Sequence, residues 1–188
     1  MGMPPTFFKI PFFWVFLTLC ACASPLGHAW GPDFPTDQLA PIPKLTAHVT
    51  DLTKTISPQE QQQLEQKLTV WEKKSQIQIA ILIVPTTQPE TIEQYGIRVA
   101  DNWKIGQQKV DNGLILVLAK NDKKGRIEVG RGLEGTIPDI IARRILVETI
   151  YPSFKKNQYY QGIDAGVEQI FTHLTQEATP QKNHKKKS

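Results

Sequence analysis

Acidic residues stand at the ends of two short apolar runs in the middle of the chain. Asp111 precedes the run 114–119, and Glu128 lies within the run 126–130. Carboxylate oxygens are the ligands that calcium and magnesium prefer, and such groups also serve as general acids and bases. No EF-hand spacing is present, so a metal site would be assembled from separate loops. The candidate ligands are Asp51, Asp101, Asp111, Glu128, Glu134 and Asp139.

Structural roles are the alternative for the same carboxylates. Asp111 opens an Asp-Asn-Gly sequence, which is a strong turn former. Glu134 could pair with Arg131 or Arg144, and Asp139 is placed to cap a helix. The spacing alone leaves both interpretations open.

Other chemistries have little support in this sequence. Both cysteines lie in the first 22 residues, so the remainder has no thiol to act as a nucleophile or metal ligand. The four histidines are not paired at metal-binding spacing, and G-x-S-x-G and P-loop motifs are absent. Residues 130–135 match G-x-G-x-x-G, but that motif belongs in a first βαβ unit, and Glu134 would repel a pyrophosphate. A glycine-rich bend is expected there, and no nucleotide cofactor.

The elements that position these residues can be predicted from periodicity. Ser57-Pro58-Gln59-Glu60 combines an N-cap, a first-turn proline and a capping box, and predicts a helix that ends near Lys74. Residues 76–84 predict a strand covered on both faces. A second helix is expected after Pro89, with Gly106 as its C-terminal stop.

The second half of the chain adds a hairpin and two helices. Residues 113–130 predict two strands joined by a polar turn. A third helix is expected over about 137–150, ended by Pro152, and a fourth one carries the spaced apolar residues of 163–174. This order predicts an α/β fold, namely a three-layer α/β/α sandwich whose small mixed central sheet is flanked by about four helices.

The amino terminus has the composition of an export signal. Residues 1–29 resemble a secretory signal peptide, because the apolar stretch is shorter than a membrane span. Cleavage after Ala29 or Ala23 is one alternative. Leu19-Cys20-Ala21-Cys22 instead resembles a bacterial lipobox, which would leave a lipidated Cys22, and an uncleaved anchor is the third alternative. Each of them predicts an extracytoplasmic protein, in the bacterial periplasm or held at a membrane.

The region before the domain is rich in proline, and the region after it is basic. Residues 30–47 are predicted to be a linker or an arm over the domain, 48–175 the domain, and 176–188 a basic disordered tail. Five of the 22 basic residues lie in the leader and the tail, which leaves 17 against 18 acidic residues. The domain is therefore not a basic nucleic-acid surface, although the Lys-rich tail could touch a membrane surface.

Several motifs occur in the order in which the TPM domain family has them, and residues 48–175 resemble that family. The motifs are Val49-Thr50-Asp51, Trp103-Lys104-Ile105-Gly106, Asp111-Asn112-Gly113-Leu114-Ile115-Leu116, Ile127-Glu128-Val129-Gly130-Arg131-Gly132-Leu133-Glu134-Gly135, Pro138-Asp139, Pro152-Ser153-Phe154 and Tyr159-Tyr160-Gln161-Gly162-Ile163.

The resemblance implies an exported α/β/α sandwich. Members of the family include thylakoid-lumen proteins linked to photosystem II assembly and repair, and bacterial envelope proteins. Acid phosphatase activity has been attributed to plant members, and calcium binding to some bacterial ones. Carried over by motif, the metal-site positions are Asp51, Asp111, Glu128, Glu134 and Asp139.

This chain departs from the family pattern in two places. It lacks the C-terminal membrane helix and glycine-rich tail of many bacterial members, which suggests a stand-alone domain. After Asp51 it reads Leu-Thr-Lys-Thr-Ile, where the family has small residues and often glycine.

Two functions follow from the resemblance and the residues together. The first is an envelope binding or assembly module for a membrane protein complex or another envelope protein, with an acidic site for Ca²⁺ or Mg²⁺. The second is a metal-dependent acid phosphatase, in which the metal polarises phosphate and activates water.

Overall fold

The computed structural model describes residue 2 and residues 39–177. The predicted signal peptide with Cys22, the first part of the predicted linker and nearly all of the basic tail lie outside the described residues. The chain divides into two compact units, Met1–Asp33 and Phe34–Ser188, and the fold described here belongs to the second.

Four strands form one mixed sheet in the order β1-β2-β3-β4. The strands β1, β2 and β3 are parallel, and β4 runs antiparallel to β3 as the second strand of the predicted hairpin. β3 is buried at all seven positions, as its uninterrupted apolar sequence requires. The strands are β1 (Val49–Asp51), β2 (Gln78–Val84), β3 (Gly113–Ala119) and β4 (Lys124–Val129).

Helices cover both faces of this sheet, which confirms the predicted three-layer architecture. Leu114, Leu116 and Leu118 of β3 pack into the core shared with the first, third and last helical segments, and Ile115 and Val117 face the second helix. The helices are α1 (Pro58–Ser75), α2 (Ile92–Trp103), α3 (Asp139–Arg144), a π-helical segment (Ile145–Ile150), α4 (Tyr151–Phe154) and α5 (Tyr159–Glu177).

The two parallel crossovers have opposite hands. α1 joins β1 to β2 over one face, α2 joins β2 to β3 over the other, and the strands advance in the same direction across the sheet. Because reflection through a sheet reverses the hand of a crossover, one of the two is left-handed, whereas nearly all such connections are right-handed. The connections that leave β1 and β2 therefore diverge to opposite sides of the sheet.

The ends of the helices confirm one prediction and correct two. Ser57 and Glu60 form the expected capping box at the start of α1. α2 ends at Trp103 with Lys104 in the left-handed conformation at φ +48°, so Lys104 takes the role predicted for Gly106. Pro152 does not end the third helix. It lies in the first turn of α4, directly after the π-helical segment, and the helix continues to Phe154.

The described part of the predicted linker is an arm that lies on α2. The Tyr95 hydroxyl donates to the carbonyl of Pro41 at 3.0 Å, and the Trp103 indole donates to that of Pro43 at 2.8 Å. Arg98 donates to Ala40 at 2.9 Å and also pairs with the buried carboxylate of Glu90 at 2.5 Å. The arm thus covers the side of α2 that carries Tyr95, Arg98 and Trp103.

His48 connects the start of β1 to α1 by two short contacts. Its Nδ1 lies 2.6 Å from Glu65 Oε1, and its Nε2 lies 2.7 Å from Glu72 Oε2. Burial would lower the pKa of His48, but the hydrogen bonds and charges of both glutamates outweigh it and raise the pKa above the ordinary 6.5. The same contact lowers the pKa of Glu65 below 4.5, against the opposing effect of burial.

These opposite shifts predict a pH window of greatest stability. The stabilisation from His48 is complete below pH 6.5 and is lost as the pH rises through its raised pKa, whereas that from Glu65 is present above pH 4.5. Between pH 6 and pH 9 we expect the free energy of unfolding to fall by about 1 to 2 kcal/mol in urea titrations. His48→Gln should flatten this dependence, and an unchanged slope in the variant would contradict the assignment.

Candidate functional site

The five acidic residues carried over from the family motifs do not lie at one place. Asp51 ends β1 and pairs in register with Ile83 of β2, whose partner on β3 is Leu118. Asp111 precedes Gly113, the first residue of β3, at the opposite edge of the sheet. Along β3, Gly113 and Leu118 are five residues apart, which is about 17 Å at the rise of an extended chain. Asp51 and Asp111 therefore cannot share a ligand.

Asp51 organises the loop that leads into α1. Its Oδ1 accepts hydrogen bonds from the Thr53 amide at 2.8 Å and the Thr53 hydroxyl at 2.7 Å. Its Oδ2 accepts from the Ile56 amide at 3.0 Å. Both oxygens are thus engaged by the segment in which this chain departs from the family sequence.

Two of the five residues, Asp111 and Glu128, line one open groove together with Asp101, which the sequence analysis also named as a candidate. The groove has a volume of about 490 Å³ and lies between α2, the start of β3 and the end of β4. We call it the acidic groove, although Lys104 and Arg131 also line it. Its acidic residues come from three separate elements, so sequence spacing did not reveal their meeting.

The glycine-rich sequence after β4 allows the backbone to approach Asp111 closely. A Cβ on Gly130 would lie 2.2 Å from the carbonyl oxygen of Asp111, and one on Gly132 would lie 2.0 Å from that of Val110. The Gly132 amide donates to the Asp111 carbonyl at 3.0 Å. The first two glycines of the G-x-G-x-x-G match therefore allow close backbone packing, as expected of a glycine-rich bend, whereas a Cβ on Gly135 would meet no atom.

Asp111 is held in place by its own backbone and by Arg131. Its φ of +53° is the left-handed conformation, which aspartate and asparagine tolerate better than most residues. The Oδ2 atom accepts from the amide and from Nε of Arg131, both at 3.2 Å. Asp111 is thus a turn residue, and its carboxylate also faces the groove.

Glu128 points from β4 towards α2. A Cβ on Gly96 of α2 would lie 2.5 Å from Glu128 Oε1, so the absence of a side chain there makes room for the carboxylate. Burial raises the pKa of Glu128, and the opposing effect of Arg126, whose Nε donates to it at 3.0 Å, does not cancel the rise. Arg126 also contacts the exposed carboxylate of Asp139 at 3.3 Å.

The structure corrects the structural roles that the sequence suggests for Asp139 and Glu134. Asp139 does not cap α3, because Pro138 occupies the N-cap position and Asp139 belongs to the first turn. Glu134 is exposed, and among residues 39–177 it forms no ion pair with Arg131 or Arg144. Asp111 does pair with Arg131.

A preformed metal centre is not found in the described part of the chain. Between residues 39 and 177, no three His, Cys, Asp or Glu side chains are close enough together to hold a metal ion. The metal-ligand assignment of Asp51, Asp111, Glu128, Glu134 and Asp139 stays a prediction, and the geometry favours the two that line the acidic groove.

Sequence reasoning missed a second cavity, which lies at the other end of β3 from the acidic groove. It has a volume of about 420 Å³ and lies beyond the carboxyl ends of β2 and β3. Four lysines stand around it, at positions 120, 123, 124 and 155. The lysines between β3 and β4 did not indicate a binding site in the sequence, because polar residues are expected in the turn of any hairpin.

The fold and the residue order define the class of protein. The family model of the TPM domain matches residues 49–173, which is most of the chain. The chain therefore belongs to the TPM domain family.

Among the solved structures with a similar fold are three bacterial proteins. The N-terminal domain of a protein from P. gingivalis is 28% identical, with a TM-score of 0.65 over 70% of this chain and 84% of that one. The BA42 protein from Bizionia argentinensis is 20% identical, with a TM-score of 0.58 over 67% and 86%. The N-terminal domain of the cg2496 protein from Corynebacterium glutamicum is 15% identical, with a TM-score of 0.55 over 77% and 84%. The last two show the fold alone.

Two further findings concern curated relatives and membrane-spanning helices. No functionally curated protein matches it in sequence. Among the helices of the described residues, none has both the length and the apolar character needed to cross a membrane.

The hydrogen bonds of Asp51 predict a structural role that can be measured. Asp51→Ala removes three hydrogen bonds to an ordered loop and should lower the free energy of unfolding by about 2 to 3 kcal/mol. The matched control is Asp139→Ala, whose carboxylate is 82% exposed and should change stability by less than about 0.5 kcal/mol. Urea unfolding of both variants checks this, and equal stabilities would contradict the role of Asp51.

Proposed function

We propose that this TPM domain is an extracytoplasmic binding module for a membrane protein complex or another envelope protein, and that the acidic groove takes a divalent cation, calcium or magnesium. The observation that carries this proposal is that Asp101, Asp111 and Glu128 line one groove, although they are not close enough together to form a preformed centre. The three carboxylates come from α2, the turn before β3, and β4. Hard cations bind such oxygen-rich sites, often with water completing the shell.

The fixed backbone around Asp111 supports a binding role. The residue is held at positive φ, and the Gly130–Gly132 backbone packs against it, so its carboxylate needs little reorganisation on binding. The groove is open to solvent, which leaves room for waters or for an oxygen atom from a partner. A cation bound there could bridge the domain to an acidic group of that partner.

Exposed apolar side chains beside the groove support a protein partner. Ile97 lines the groove and is 54% exposed, and Val110, next to Asp111, is 49% exposed. Apolar residues next to a polar, charged centre are typical of surfaces that contact other proteins. The residues that line the groove include no serine, threonine, cysteine or histidine, so a hydroxyl, thiol or imidazole nucleophile has no candidate among them.

A metal-dependent acid phosphatase is the second candidate, and the raised pKa of Glu128 favours it. Burial raises the pKa of this carboxyl group, which is the direction of shift that a general acid for a leaving group requires. A cation at Asp111 would polarise the phosphate and activate water. Both functions use the same groove, but only the phosphatase would turn over a phosphate ester there.

Calcium titration by calorimetry tests the shared part of both functions. We expect a dissociation constant of about 10⁻⁴ to 10⁻³ M, the range of extracellular calcium modules. Asp111→Asn keeps a residue that tolerates positive φ and should weaken binding at least about tenfold. The matched control is Glu134→Gln, which removes an acidic residue of the family motif outside the groove and should bind as the wild type does. Loss of binding in the control, with retention in Asp111→Asn, would contradict the proposed site.

The pH dependence of calcium binding separates Glu128 from the other carboxylates. Because the pKa of Glu128 is raised above the ordinary 4.5, protons compete with calcium there first, and affinity should fall as the pH decreases from 7 to 5. Glu128→Gln should weaken binding and also reduce this dependence.

Hydrolysis of p-nitrophenyl phosphate at acidic pH decides between the two functions. An enzyme would lose turnover with a chelator and would lose at least about 100-fold in Glu128→Gln. Turnover that survives both changes would indicate a contaminant, and calcium binding without turnover would leave the binding module as the function.

A further inference from the structure

The cavity at the carboxyl edge of the sheet is not part of the acidic groove. It lies beyond the ends of β2 and β3, next to α4 and the start of α5. Its volume of about 420 Å³ is within the range of small-molecule sites. We call it the lysine cavity, after the four lysines that line it together with Tyr151, Phe154 and Tyr159.

Its inner wall is apolar and aromatic. Phe154 and Tyr159 meet edge to face with their ring centroids 5.0 Å apart. The Tyr151 hydroxyl accepts from the Gly125 amide at 2.9 Å and donates to the Gly125 carbonyl at 3.2 Å, which fixes that ring against β4. The apolar part of a ligand would therefore contact a wall that is already ordered.

Its rim is positively charged, and the charge of Asp122 acts on one of its lysines, Lys124. No aspartate or glutamate lines the cavity, and none of its four lysines forms an ion pair within residues 39–177. Lys120 lies 5.6 Å from the ring centroid of Tyr159.

The neighbouring acidic groups are engaged elsewhere. Asp122, in the same turn as three of the lysines, accepts hydrogen bonds from Thr86 and Thr87 on the loop after β2. Glu93 contributes to the raised pKa of Tyr151, after burial, but does not line the cavity.

We propose that the lysine cavity binds a phosphate amphiphile, with the phosphate between the lysines and a short apolar body against the aromatic wall. Lysine ammonium groups are suitable point-charge partners for phosphate. Four of them match a doubly charged phosphate head better than a singly charged carboxylate, and the 420 Å³ volume suits one small ligand instead of a folded partner.

The position of the cavity in the fold agrees with this proposal. In open α/β sheets, ligands bind outside the carboxyl ends of the strands, where neighbouring connections leave to opposite faces. The connections after β1 and β2 diverge in this way, and Thr55 and Ile83 from that part of the sheet line the cavity. The site is therefore independent of the acidic groove and of the function proposed for it.

Calorimetry with octyl phosphate tests the proposal, with inorganic phosphate and octanol as the two half-ligands. We expect octyl phosphate to bind at least about tenfold more tightly than either, and its affinity to fall as salt is added because the lysines are exposed. Equal affinity for octanol and octyl phosphate would overturn the role of the lysines. Equal affinity for inorganic and octyl phosphate would overturn the role of the apolar wall.

Two variants and a matched control place the ligand. Lys120→Gln with Lys124→Gln should weaken octyl phosphate binding about tenfold and leave octanol binding unchanged. Lys73→Gln with Lys74→Gln removes the same charge from the end of α1, away from the cavity, and should bind as the wild type does. Thr55→Phe should reduce binding of both ligands by filling the cavity, with circular dichroism to confirm its fold. Equal losses in the two lysine pairs would overturn the proposal.

Vesicles distinguish a soluble ligand from a membrane lipid. Sedimentation with vesicles that contain phosphatidic acid, weakened by the Lys120 and Lys124 changes, would support the site with a membrane lipid as its source. Binding of octyl phosphate without vesicle binding would support it with a soluble amphiphile. Vesicle binding without octyl phosphate binding would overturn the proposal, because the lysines would then act only as a surface charge.

Discussion

The burial of β3 on both faces is the constraint on which the rest of the structure depends. All seven of its residues are buried, and it pairs with β2 on one side and β4 on the other. A shift of one residue would exchange Leu114, Leu116 and Leu118 with Ile115 and Val117 between two different cores, so the register has one low-energy solution. This register decides which loops reach which edge of the sheet.

The consequence is a separation of charge between the two edges. The turn that precedes β3 brings Asp111 to the edge where β4 ends and Glu128 is found. The turn that follows β3 brings Lys120, Lys123 and Lys124 to the other edge, beside Tyr151. The proposed cation site and the proposed anion site would therefore lie at opposite ends of β3, whose seven residues span about 20 Å.

Much of the fold could be predicted because its signals are local. The capping box at Ser57 and the doubly apolar β3 each specify an element without help from distant residues. The three-residue β1 was not predicted as a strand, because it is too short to show a period and is ordered by pairing with β2. Pro152 was expected to stop a helix, but the preceding π-helical segment places it in a first turn.

The site was less predictable because it depends on strand direction and on contacts between distant residues. Asp51 and Asp111 look alike in sequence, and only the parallel arrangement of β1 to β3 shows that they lie at opposite edges. The burial of Glu128 follows from Gly96, which is 32 positions earlier and belongs to another element. The spaced apolar residues of α5 were predicted, but three of the lysines around the cavity beside that helix come from the distant connection between β3 and β4.

The most direct test of two separate sites is a ¹H–¹⁵N correlation spectrum, recorded during titration with calcium and then with octyl phosphate. The account predicts that calcium shifts the amides of Asn112, Gly113 and Gly130 and leaves those of Lys120 to Gly125 unchanged, and that octyl phosphate does the reverse. Shifts from both ligands at the same edge, or calcium shifts concentrated around Asp51, would contradict it.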